Sequence, residues 1–150
     1  MASEIDWQAK IVKRLKREGA YARKASSTYA VGVLDLDVIS HLTGAVKIEV
    51  KLEHTLKPGW RRQLDYTEKQ KEEASRVISC GGQSLGLLVA HYAPTNVWLY
   101  FHEMPPPRIR IQVTEDQVFT DGVQWKSSGH GYYLIEAIMG GLERMKNGED

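Results

Sequence analysis

The sequence predicts a single α/β domain in which a central mixed β-sheet is flanked by helices. Three observations predict it. Apolar residues recur at helical spacing in an early, a middle and a late segment. Between them lie runs that read as strands, VLDLDVI (33–39), AVKIEVKL (45–52), SLGLLVAHY (84–92) and VWLYFHE (97–103). The length of 150 residues suits one domain built on one core.

Taken in order, Ser3 with Asp6 three residues on resembles a capping box. Ile5, Ile11, Val12 and Leu15 then continue a helix as far as Gly19. YARKASSTYAVG is turn-prone with room for a short strand. Thr43-Gly44 turns the 33–39 run into the 45–52 run, which predicts a hairpin, and EHTLKPGWRRQLDY (53–66) reads as a loop around Pro58-Gly59. Thr67 and Gln70 form a second capping box, opening a helix that carries Ala74, Val77 and Ile78 before Gly81-Gly82 stops it. Two strands follow, joined at Pro94-Thr95-Asn96 and closed by the prolines at 105–107. RIRIQV (108–113) reads as a short strand. A last helix is expected over about 132–146, with Leu134, Ile135, Ile138, Met139, Leu142 and Met145 on one face.

Composition narrows the function classes. Lys and Arg number 20 against 19 Asp and Glu. Within 10–24, however, Lys10, Lys13, Arg14, Lys16, Arg17, Arg23 and Lys24 face Glu18 alone, a stripe that is either a solvated helix face or a phosphate-binding surface. The single cysteine, Cys80, excludes an internal disulfide and a multi-thiol zinc site. No apolar run approaches the length of a membrane span and no secretory leader opens the chain, so a cytoplasmic location is expected.

The chemistry is expected where charge interrupts the strands. Side chains alternate along a strand, so Asp35 and Asp37 share one face opposite Leu34, Leu36 and Val38, and Lys47, Glu49 and Lys51 share another opposite Ile48, Val50 and Leu52. Neighbouring strands therefore gather Asp35, Glu49 and Lys51. Carboxylates confined together repel and resist desolvation, so such a cluster calls for a cation or hydrogen bonds to compensate it. Mg2+ (or Mn2+) suits oxygen ligands of this kind, binding through one or two carboxylates with substrate phosphate completing its shell. A lysine beside it would serve the attacking nucleophile and offset charge on a phosphate.

Asp35 followed after a hairpin by Glu49-Val50-Lys51 resembles the PD-(D/E)XK nuclease superfamily, with its restriction-endonuclease-like αβββαβ core. EIDWQAKIVKRL (4–15) resembles the first helix of Holliday-junction resolvases and VRR-NUC domains. YTEKQKEEASRVISCGGQSLGLLV (66–89) resembles the VRR-NUC segment in which a Gln-bearing helix follows the EVK strand. The resemblance covers about 3–102 and leaves 103–150 as a C-terminal helical extension. It implies an Mg2+-dependent endonuclease acting on DNA, with Asp35, Glu49 and Glu4 as metal ligands and Lys51 and Gln70 completing the catalytic set. Lys10 to Lys24, with Lys57, Arg61 and Arg62, would lie on DNA. Two copies would cut two strands as a homodimer, with the last helix as one candidate meeting surface. Leu34 stands where the family usually has Pro, which leaves Asp35 and Asp37 as alternative ligands; the Gly of GVLDL and the spacing to Glu49 favour Asp35. Two other classes remain open, a DNA-binding module without cleavage and a phage structural or assembly protein. The capping-box place of Gln70 and the first-turn place of Glu4 each have a purely helical explanation. The histidines at 41, 54, 91, 102 and 130 show no metal-ligand spacing.

Overall fold

A computed structural model of the chain describes residues 3–25, 34–56, 61–63, 66–92, 96–104, 110–112, 122–126 and 133–146. The elements are α1 (Glu4–Arg17), β1 (Tyr21–Lys24), β2 (Leu36–Ser40), β3 (Gly44–Leu56), β4 (Arg61–Gln63), α2 (Glu68–Ser79), β5 (Gln83–Tyr92), β6 (Asn96–Glu103), β7 (Arg110–Gln112), β8 (Val123–Gln124) and α3 (Leu134–Lys146). Six strands form one mixed sheet in the order β1-β2-β3-β5-β6-β8, and β4 pairs with β7 apart from it. All pairs in the large sheet are antiparallel except β3 and β5, which run parallel because α2 carries the chain across between them.

Both expected capping boxes form. Ser3 and Asp6 exchange bonds at the start of α1, and Thr67 and Gln70 do so at the start of α2. Gly44 closes the β2–β3 hairpin and Gly81 the end of α2, both at positive φ, where a side chain would be strained. Among the described residues, no helix is long and apolar enough to cross a membrane.

The sheet has two unlike faces. Trp7, Ile11 and Leu15 of α1 and Leu134, Ile135 and Ile138 of α3 cover one, meeting Leu36, Val38, Val46, Ile48, Val50, Leu87 and Phe101 in the main core. The other holds a smaller cluster, Leu34, Tyr66, Ala74, Leu88, Ala90 and Met104, under α2. Between α1 and α3 runs a buried strut. The Arg14 guanidinium lies 3.2 Å from the Glu18 carboxylate, which accepts the Leu134 and Ile135 N–H groups at 2.9 and 3.0 Å and so caps α3.

Four expectations change. The 33–39 run is strand only from Leu36, and the chain bends at Asp35, so Leu34 crosses to the α2 side instead of sharing a face with Leu36 and Val38. Segment 53–66 is not all loop, since β3 continues to Leu56 and β4 follows; pairing with β5 and β7 outweighs the local turn chemistry. The last helix, one candidate meeting surface, sets Leu134, Ile135 and Ile138 in its own chain's core and leaves Met139 exposed. Residues beyond 103 are therefore part of the fold, with β8 pairing β6, a strand too short to stand out in the sequence. The turns expected at Pro58-Gly59, Pro94-Thr95 and 105–107 lie outside the described residues.

Candidate active site

The bend at Asp35 creates the site. The β2–β3 ladder ends at the Leu36–Ile48 pair, so the next outward-facing amide of β3 lacks a strand partner. Asp35 fills the gap with its side chain: its Oδ2 accepts the Val50 N–H at 2.9 Å, and its own N–H donates to Glu49 Oε2 at 3.1 Å. Glu49 is only 3% exposed. Its other oxygen, Oε1, accepts the Gln70 amide Nε2–H at 2.5 Å, while Gln70 Oε1 accepts the Thr67 N–H at 3.0 Å. One amide thus caps α2 with its oxygen and fixes a buried carboxylate with its nitrogen.

Electrostatics follow from that confinement. Burial raises the Glu49 carboxyl, and Asp35 and Glu4 beside it raise it further, to about 8. Burial also raises Asp35, restrained by the Val50 N–H, the Glu49 side chain and the charges of Lys51 and Lys24. Glu4 stands on the exposed first turn of α1, but its carboxyl is raised, first by burial and then by Asp35, and held back by Lys51 and the Leu52 N–H. Glu4, Asp35, Glu49 and Lys51 therefore act on one another as a single group, drawn from α1, the β2 bend and β3.

Asp37, two residues from Asp35, faces elsewhere. Its two oxygens meet Lys47 at 2.7 Å and Arg23 at 3.2 Å, a surface ion cluster apart from Glu49. The structure thus brings Asp35, not Asp37, to Glu49.

The residues suit a divalent cation in one respect and limit it in another. Three carboxyls accompany one ammonium, and their raised affinity for protons is what a bound dication would relieve. Their donors are all oxygen, as Mg2+ and Mn2+ prefer. Among the described residues, however, no group of three His, Cys, Asp or Glu side chains is set to hold a metal ion. The donor set in place is the pair Asp35 and Glu49, which meets the one or two carboxylates that Mg2+ ordinarily uses, with Glu4 at the margin.

The basic stripe divides. Lys13, Lys16 and Arg17 are exposed on α1, and the Lys10 ammonium stands 4.5 Å over the Trp7 ring. Arg14 is a correction: only 4% exposed, it bonds Glu18 and donates to the Lys126 carbonyl at 3.0 Å, so its charge is internal. It falls on the core side because it stands three residues after Ile11. Arg23 is exposed but paired with Asp37, and Lys24 is exposed near Asp35. Only the backbone of Arg61 and Arg62 is described, in β4, and Lys57 lies outside the described residues.

Two residues that sequence reasoning passes over adjoin the site, Tyr66 and His102. Tyr66 is 6% exposed, with the Lys51 ammonium 5.1 Å from its ring centre and its hydroxyl 2.8 Å from His102 Nε2. Burial, then Glu49, Glu4 and Asp35, push its phenol far upward, so it stays protonated. A glycine inside the apolar run SLGLLVA is the available signal, since glycine within a strand marks close approach by another group.

No family model matches this chain, and none of the curated proteins matches it. Among solved structures it is similar to Hjc of Archaeoglobus fulgidus, a Holliday junction resolvase from an archaeal hyperthermophile, with 14% identity, 77% of this chain and 93% of that chain covered, and a TM-score of 0.48. At that identity and score the likeness assigns no role to any residue. The chemistry of the site rests on its own side chains.

Proposed function

We propose that the chain is a metal-dependent nuclease that hydrolyses DNA phosphodiester bonds. The observation that carries this reading is the buried Asp35–Glu49 pair, held by the Val50 amide and the Gln70 side chain, with the Lys51 ammonium on the same side. A divalent ion bound by Asp35 and Glu49 would polarise the phosphate and make water nucleophilic near neutral pH. Asp35 and Glu49 are positioned for that task by backbone and amide donors, so little reorganisation is needed when substrate arrives. Lys51 orients the nucleophile and offsets negative charge that grows on the phosphate oxygens. Glu4 completes the acidic rim from α1, while Lys10, Lys13, Lys16 and Arg17 offer sequence-independent contacts to the DNA backbone. Action on a branched or four-way junction would need two copies.

Cleavage of a panel of plain, nicked, flapped and four-way DNA with Mg2+ and then Mn2+, paired with Mn2+ calorimetry, tests the reading. Carboxylate-dependent Mn2+ binding and cutting of at least one substrate are expected. DNA binding without cutting or metal uptake would make the chain a binding module, and absence of all three would return it to a structural or assembly role.

A further inference from the structure

His102 stands directly across the sheet from Gly86, which in turn pairs with Glu49 on β3. A Cβ on Gly86 would lie 2.0 Å from His102 Cε1 and 2.4 Å from Nε2, so the imidazole occupies the space that any other side chain on that residue would need. The ring's tautomer is set by its partners. Its Nδ1 lies 2.8 Å from the Glu103 carbonyl oxygen, which can only accept, so Nδ1 carries the proton. Burial keeps the ring neutral, leaving Nε2 as an acceptor, and the Tyr66 hydroxyl therefore donates to it. Tyr66 is thereby fixed in rotation and in tilt, its ring turned toward Lys51.

From this geometry we propose that Tyr66 is a positioning residue: its ring, anchored by the His102 imidazole seated over Gly86, holds the Lys51 ammonium in place beside the Asp35–Glu49 pair. Lysine is a flexible chain whose charged end wanders unless something confines it. A ring face attracts the ammonium without tying up its N–H groups in hydrogen bonds, as a carboxylate at contact distance would. The Lys51 N–H donors thus stay directed to substrate. The functional part of this proposal rests on the nuclease reading; the placement of Lys51 by Tyr66 does not.

Two measurements on the full-length chain keep those apart. With lysine labelled at the ε-carbon, the Lys51 ε-protons, identified by their loss in Lys51→Arg, should resonate upfield of the lysines that have no ring beside them, with no metal or DNA added. Tyr66→Leu should abolish that displacement and Tyr66→Phe, which keeps the ring and loses only its anchor, should reduce it. In supercoiled-plasmid cleavage with Mg2+, Tyr66→Leu should lower kcat about tenfold with KM for DNA unchanged, and Tyr66→Phe should recover most of the loss, to within about threefold of wild type. An unchanged Lys51 signal in a folded Tyr66→Leu protein would overturn the proposal. So would equal losses of kcat in the Leu and Phe variants. A wild-type protein that shows the upfield signal and cuts no DNA would uphold the placement while overturning the nuclease reading.

Discussion

On the side of the sheet covered by α1 and α3, the strands present Leu36, Val38, Val46, Ile48, Val50, Leu87 and Phe101, closed over by two amphipathic helices. On the other side, the intervening residues include Asp37, Lys47, Glu49, Lys51, Gly86, Tyr100 and His102 beside a smaller apolar group with Leu88 and Ala90, and α2 contributes one fully buried residue, Ala74. The contrast divides the labour. Two helices supply enough apolar burial on one face to leave the other free to confine charge, which is destabilising by itself. Within that charged group Glu49 is buried, while Asp35 and Lys51 beside it are half-buried.

The largest expected effect comes from breaking the apolar face. A chain stopped at Gln124 loses Leu134, Ile135 and Ile138 from the core and the partner of Glu18, so it should lose its folded circular-dichroism signal altogether. A folded, metal-binding product would show that α3 is dispensable to the core.

Next in size are changes on the charged face. Asp35→Asn, Glu49→Gln and Lys51→Ala should each reduce cleavage by at least about 100-fold while the thermal midpoint stays near that of wild type. Asp37→Asn, whose partners among the described residues are Lys47 and Arg23, should cost little, and a dead Asp37→Asn beside an active Asp35→Asn would overturn the placement of the site.

A smaller, pH-dependent effect belongs to His102. Its folded pKa, about 4 through burial, lies below the ordinary 6.5, so the unfolded chain takes up a proton that the folded chain refuses. The contribution is fully present above about pH 6.5 and is lost as pH falls toward 4, at most about 3 kcal/mol. Urea melts across that range should show the loss in wild type and a flatter profile in His102→Gln. An identical slope in both would assign the acid sensitivity to other groups.

The smallest effect is on α1. Reversal to Glu at Lys13 or Lys16 should weaken DNA binding and lower the salt dependence by about one unit for each phosphate that is no longer neutralised. Arg14→Ala should instead lower stability, because that guanidinium is part of the strut to Glu18. Affinity and salt slope unchanged by the lysine reversals would leave the stripe as solvated surface.

Much of this architecture is legible in the order of residues. Alternation in AVKIEVKL places Glu49 and Lys51 on one face and the capping box places Gln70, because both are short-range rules of geometry. For Asp35 the pattern gives an incomplete reason. Alternation groups it with Asp37, whereas the chain bends there and its carboxylate takes over an orphaned amide of β3, an event that depends on where the ladder stops. Arg14 reads as one of seven like charges, although its spacing from Ile11 puts it on the core side, because its partners there, Glu18 and the Lys126 carbonyl, are not apparent from the charge pattern. His102 looks like any buried-strand histidine, since its meaning comes from Gly86 across the sheet and Tyr66 before α2, partners 16 and 36 positions away; the glycine inside an apolar run signals a close approach without saying which residue makes it.

The link between Glu18 and α3 bears on the order in which the molecule is assembled. The amides that open α3 are received by a carboxylate 116 and 117 residues earlier, so the start of that helix is fixed by distant chain. Contacts of such separation close late, because a long loop must be gathered first. Until α3 docks, α1 carries a buried-side Arg14–Glu18 pair with its amide partners missing and an apolar flank open to water. The first helix is thus the surface that undocking of α3 would uncover, an apolar flank open to adhesion between chains.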